Sequence, residues 1–94
     1  KSIKLMFKSK NSFYTALFSI GYAGILLDFN EIIKAEKPLR FGLKIAKENN
    51  YLAPMALAFS NFGLLYEQQE NEDKCIKSFK KCIQLYQQQQ KWLK

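Results

Sequence analysis

Along most of this chain apolar side chains recur every three or four residues, the spacing that lines one side of an α-helix. Between Ala56 and Tyr66 the large residues Phe59, Phe62, Leu65 and Tyr66 stand at i, i+3, i+6 and i+7. That spacing predicts a helix over 54–69, with Pro54 near its start, where the missing N–H would have no partner anyway. The polar run Glu70-Asn71-Glu72 predicts a turn, and its acidic residues suit the positive N-terminus of a following helix. From Asp73 onward Ile76, Phe79, Ile83 and Tyr86 form a second stripe with Cys75 and Cys82 beside it, so the two segments make an αα-hairpin. Upstream, Ser12 is a candidate N-cap for a long helix ending near Ile33. Pro38 fits the first turn of another helix, which runs to Glu48 and stops at Asn49-Asn50. The 12–33 helix is apolar almost all round, which predicts a central element covered on several sides. Only two prolines and four glycines interrupt the chain, which favours long helices over strands.

Internal repetition narrows the architecture. Placing Asn11 over Asn50 superimposes Ile20, Ala23, Gly24 and Leu27 on Phe59, Phe62, Gly63 and Tyr66, an offset of 39. Leu39, Leu43 and Ala46 fall on Cys75, Phe79 and Cys82 at an offset of 36. Periods in this range are the mark of stacked helical hairpins. Residues 56–87 resemble one complete tetratricopeptide repeat: Phe59, Phe62, Gly63 and Tyr66 match the large, large, small, large pattern of its first helix, and Cys75, Phe79 and Cys82 the small, large, small pattern of its second. The pattern departs at Glu70, where the family usually has glycine, at Glu72, usually aromatic, and at Gln87, usually proline. The resemblance implies an all-α fold, a right-handed solenoid fragment of stacked antiparallel helical hairpins. About two repeats are expected in a single domain over 1–94, with 2–10 the end of a preceding helix, 12–51 a divergent repeat, 54–90 the complete one, and the whole a fragment of a larger protein.

The resemblance also implies a partner site in the concave groove lined by first helices. The matching positions are Phe18, Gly21, Tyr22, Ile25 and Asp28 in the first repeat and Leu57, Ser60, Asn61, Leu64 and Glu67 in the second. Asn61 leads, because an amide offers a peptide backbone a donor and an acceptor at once, and Tyr22 adds stacking area and a hydroxyl. The carboxylate clamp of chaperone-binding members is incomplete, since Gly21 and Ile25 stand where its polar residues would be. Longer-than-standard repeats and the groove asparagine also resemble the repeat domains of Gram-positive peptide-sensing transcriptional regulators.

Chemistry is sparse. There is no histidine, and no phosphate-loop, dinucleotide or zinc spacing, so neither an enzyme activity nor a metal or other cofactor is expected. Cys75 and Cys82, seven residues apart on one helix, stand about 10 Å apart, beyond the ~7 Å reach of a disulfide, and read as packing thiols of a reducing, cytoplasmic compartment. The net charge of +7 divides into +4 over 1–27, +2 over 28–47, −5 over 48–73 and +6 over 74–94. Lys74, Lys77, Lys80 and Lys81 form a basic stripe that reads as a solvated outer face, not a nucleic-acid site. The uncharged run 12–27 is short for a membrane span and reads as a buried helix. The function expected is therefore binding of a peptide or protein partner. The competing readings are an oligomerisation module pairing copies through its repeat ends, and a regulatory domain attached to an enzyme.

Overall fold

A computed structural model describes residues 10–93. Every regular element among them is a helix: α1 Lys10–Asp28, α2 Ile32–Glu48, α3 Leu52–Gln68 and α4 Glu72–Leu93. The chain is all-α over this span. The expected end of a preceding helix at 2–10 lies outside the described residues except for Lys10, which opens α1.

Three turns of one design separate the helices. In each, two amides reach back over the last helical turn: Asn30 and Glu31 donate to the Leu27 and Leu26 carbonyls, Asn50 and Tyr51 to Lys47 and Ala46, and Glu70 and Asn71 to Glu67 and Tyr66, all at 2.8–3.2 Å. This crossed pair satisfies carbonyls that a helix end leaves without partners, and it requires a left-handed residue between. Asn30, Asn50 and Glu70 supply it, with φ of 60°, 56° and 59°. Asparagine tolerates that region better than most side chains, whereas Glu70 occupies the position where the resembled repeat has glycine. At the start of α4 the Asn71 side-chain oxygen accepts from the Lys74 amide at 3.3 Å and so caps the helix.

These turns correct the first hairpin as read from sequence. The long helix ends at Asp28 and not at Ile33, because Asn30 turns the chain, and α2 begins six residues before Pro38. Pro38 therefore sits inside α2, where its ring replaces one backbone hydrogen bond. Ser12 lies within α1 instead of capping it, fully buried with its hydroxyl 2.7 Å from that of Tyr51.

The contacts fix how the helices lie. A Cβ built on Gly42 meets Ile20, the Ala16 carbonyl and Ser19, and one built on Gly63 meets the Phe79 ring. In each case the touching residues are nearly equidistant from the intervening turn, so α1 with α2 and α3 with α4 form antiparallel pairs. Across the pairs the partners keep a constant separation, Ile20 with Asn61 and Leu27 with Gln68, which makes α1 and α3 parallel neighbours. α3 also packs on α2, and α4 touches only α3 among these elements. The core, Ile20, Ala23, Leu27, Ala35, Leu39, Ala58, Phe62 and Leu65, is shared by α1, α2 and α3, and a smaller cluster of Ala56, Cys82 and Leu85 joins α3 to α4.

The hairpins superimpose at one offset of 40, since α2 and α4 begin at 32 and 72 and α1 and α3 end at 28 and 68. The counterpart of Gly63 is thus Ala23, not Gly24. The first hairpin's small, large, small triad is Ala35, Leu39 and Gly42, not Leu39, Leu43 and Ala46; Ala35 and Leu39 are fully buried and Gly42 is buried. The separate offsets of 39 and 36 do not hold.

Candidate functional site

The seam between α1 and α3 is held by side-chain amides. Asn61 Nδ2 donates to the Ile20 carbonyl at 3.0 Å, and about two turns further on Gln68 Nε2 donates to the Leu27 carbonyl at 2.9 Å. Both acceptors belong to α1 and both donors to α3, at matching i, i+7 spacing. Gly24 makes the first bond possible: a Cβ there would stand 3.2 Å from Asn61 Nδ2. Asn61 is only 7% exposed, so the residue expected to hold a peptide backbone holds this chain's own backbone instead. That is a correction to its place on an open groove. One of its amide N–H groups is engaged, and the side chain is buried between the helices.

The other residues expected in the groove divide between two surfaces. Phe18, Tyr22 and Ile25 stand on α1, 71%, 57% and 55% exposed. On that helix Gly24 and the Ile20 and Leu27 carbonyls meet α3, while Ala16, Ser19 and the Ile20 side chain meet α2 at Gly42, so the exposed trio occupies a third side that neither neighbour covers. Tyr14 and Phe29, both exposed, extend it to a run of five large side chains at i, i+4, i+8, i+11 and i+15. Tyr14 and Phe18 stack at 6.2 Å between ring centroids. Of the sides on which α1 is expected to be covered, the described helices cover two. Tyr14 and Phe29 were legible from the same spacing and were hidden by treating α1 as an interior helix.

On α3 the picture differs. Leu57 and Leu64 are half-buried against the main core, and Ser60 is half-buried. Asp28 and Glu67 are exposed at the C-terminal ends of α1 and α3, and Gly21 has open space where a side chain would project. The α1 stripe and the α3 residues do not converge on one enclosed pocket.

Among the described residues no three histidine, cysteine, aspartate or glutamate side chains could hold a metal ion. Burial pushes the Cys82 thiol upward, away from the thiolate form that reacts. Cys75 and Cys82 are both free thiols. No helix among the described residues is long and apolar enough to cross a membrane. Compared with protein-family models, curated proteins and solved structures, the chain gives no significant match to any of the three.

Proposed function

We propose that this chain is a protein-interaction module built on tetratricopeptide-like hairpins, and that its working surface is the open side of α1. The observation that carries the reading is the exposed run Tyr14, Phe18, Tyr22, Ile25 and Phe29. A contiguous strip of large apolar side chains on a folded surface marks a place where another polypeptide is bound. Covering a phenylalanine or tyrosine on such a strip stabilises a complex by roughly 1.5–3 kcal/mol per side chain. The small, large, small triads Ala35, Leu39, Gly42 and Cys75, Phe79, Cys82 at a common offset, with α1 and α3 parallel, support the repeat reading. Under that reading the ligand is a peptide or a protein segment, which includes the signal peptide of a transcriptional regulator.

The test is peptide display on the immobilised chain. Enriched sequences should carry apolar residues at helical spacing, and they should lose affinity for the double variant Phe18→Ser with Tyr22→Ser while its circular dichroism and melting stay those of the parent. Equal binding to parent and variant removes α1 as the site.

A second reading, self-association through repeat ends, is favoured by the outer face of α4, where Ile76, Ile83 and Tyr86 are also exposed. It calls for a mass that rises with concentration in sedimentation and falls back in the same double variant.

A further inference from the structure

A second surface lies on the opposite flank of α3 from the amide seam. There α3 carries Phe59, Phe62 and Tyr66 at i, i+3 and i+7, and each ring has a cation over it. Lys47 and Arg40 of α2 stand 5.7 and 5.5 Å from the centroids of Phe59 and Phe62, and Lys74 of α4 stands 5.5 Å from that of Tyr66. The backbones of α2 and α4 nowhere approach within 8 Å, and each packs on α3. A cleft of about 390 Å³ opens on this side, lined by Arg40, Leu43, Lys44, Lys47, Glu48 and Phe62. Its base is apolar, since Phe62 is 5% exposed and Leu43 is packed on the core.

The charges are unbalanced. Arg40 is bonded to Glu36 at 2.7 Å, whereas Lys44, Lys47 and Lys74 form no ion pair among the described residues. Stacking over a ring restrains a long lysine side chain and so lowers the entropy it loses on meeting an anion.

We propose that this cleft binds an acidic segment of a partner protein, with carboxylates meeting Lys44 and Lys47 and one apolar side chain seated against Leu43 and Phe62. Carboxylates complement the walls by charge, and the apolar floor asks for a hydrophobic residue among them. Nucleic acid fits less well. Its bases need open aromatic faces, and here the faces are occupied by the protein's own cations.

The experiment uses fluorescence anisotropy with three probes at low and at moderate salt: a labelled peptide of alternating glutamate and leucine, a serine and leucine control, and a single-stranded oligonucleotide. The acidic peptide should bind and the control should not. The pair Lys44→Glu with Lys47→Glu should lower the affinity by about tenfold or more, as expected when two interfacial charges are reversed. Lys80→Glu, on the same α4 but not among the ring-capping cations, should leave it unchanged. All three lysines are exposed, so the variants should keep the parent's helicity. The proposal is overturned if the acidic peptide does not bind, if Lys80→Glu weakens it as much as the pair does, or if the oligonucleotide binds more tightly and loses affinity in the pair. It is overturned equally if the pair abolishes a concentration-dependent mass, which would make a second copy the occupant.

Discussion

Replacing Asn61 separates a structural amide from a ligand-binding one. Asn61→Ala removes the donor to the Ile20 carbonyl and leaves a small void in a site that is 93% shielded from water. A buried hydrogen bond contributes about 0.5–1.5 kcal/mol net, and an acceptor left facing a void adds to the loss, so about 1–3 kcal/mol is expected. In a chain of this size that lowers the melting temperature by about 4–8 °C per kcal/mol. Asn61→Asp is harsher, because a carboxylate oxygen would take the place of the donor 3.0 Å from a carbonyl, two acceptors face to face with a charge largely out of water. Its carboxyl has an unfolded value near 3.9, and burial beside an acceptor raises the folded value above it. A group whose folded value is raised stabilises fully below the unfolded value and loses that contribution as pH climbs through the folded one. Relative to the parent, Asn61→Asp should therefore be least disruptive below about pH 4, where the protonated carboxyl can itself donate to Ile20, and most disruptive at neutrality. Urea titration of parent and both variants at several pH values reads this directly. An Asn61→Ala variant that melts with the parent, or an Asn61→Asp penalty that does not change with pH, would refute the buried amide bond.

Two further predictions rest on packing. Alanine should act with opposite sign at two glycines: at Gly42 a Cβ meets Ile20 Cγ1 at 2.6 Å and the Ala16 carbonyl at 2.9 Å, so Gly42→Ala should destabilise by about 1–3 kcal/mol, whereas Gly21→Ala, with nothing within 4 Å, should stabilise by about 0.5–1 kcal/mol through helix propensity, both read by thermal melting. For the cysteines, Ellman's reagent should modify Cys75 first and Cys82 only on unfolding; because burial raises the Cys82 thiol, its contribution to stability is intact below the ordinary thiol range of about 8.5 and declines as pH rises through the folded value, a decline that Cys82→Ala should remove.

Helix content and the second hairpin were legible because several levels of the sequence agree there. The stripe of Phe59, Phe62, Leu65 and Tyr66, the turn at Glu70 and Asn71 and the triad Cys75, Phe79, Cys82 all report the same register. The first hairpin was less legible because its local signals conflict. Pro38 signals a helix start but lies inside α2, and the decisive signal is the single left-handed Asn30, which periodicity does not register. The α1 stripe was half legible. Its spacing is plain in the sequence, but whether a strip of aromatics faces a core or solvent depends on which other helices pack on it, and among the described helices α1 has α2 and α3 beside it.

The glycines explain why the register slipped. A mid-helix glycine means close approach, and matching Gly24 to Gly63 treats the two approaches as one kind. They are different: Gly63 admits an aromatic ring from its own hairpin partner, whereas Gly24 admits the Asn61 amide from the neighbouring hairpin. In the first hairpin the tight contact within the pair is moved to the other helix, where Gly42 presses on the Ala16 carbonyl, so alanine suffices at the true counterpart, Ala23. The same exchange accounts for the misplaced binding residue. Asn61 is turned inward to bond the Ile20 carbonyl and is only 7% exposed, and Gly24 is what brings that carbonyl within its reach. With the seam thus closed by Asn61 and Gln68, the surfaces proposed for recognition are the exposed Tyr14, Phe18, Tyr22 and Ile25 of α1 with Phe29 just beyond its end, and, on the far flank, Lys44 and Lys47, which form no ion pair among the described residues.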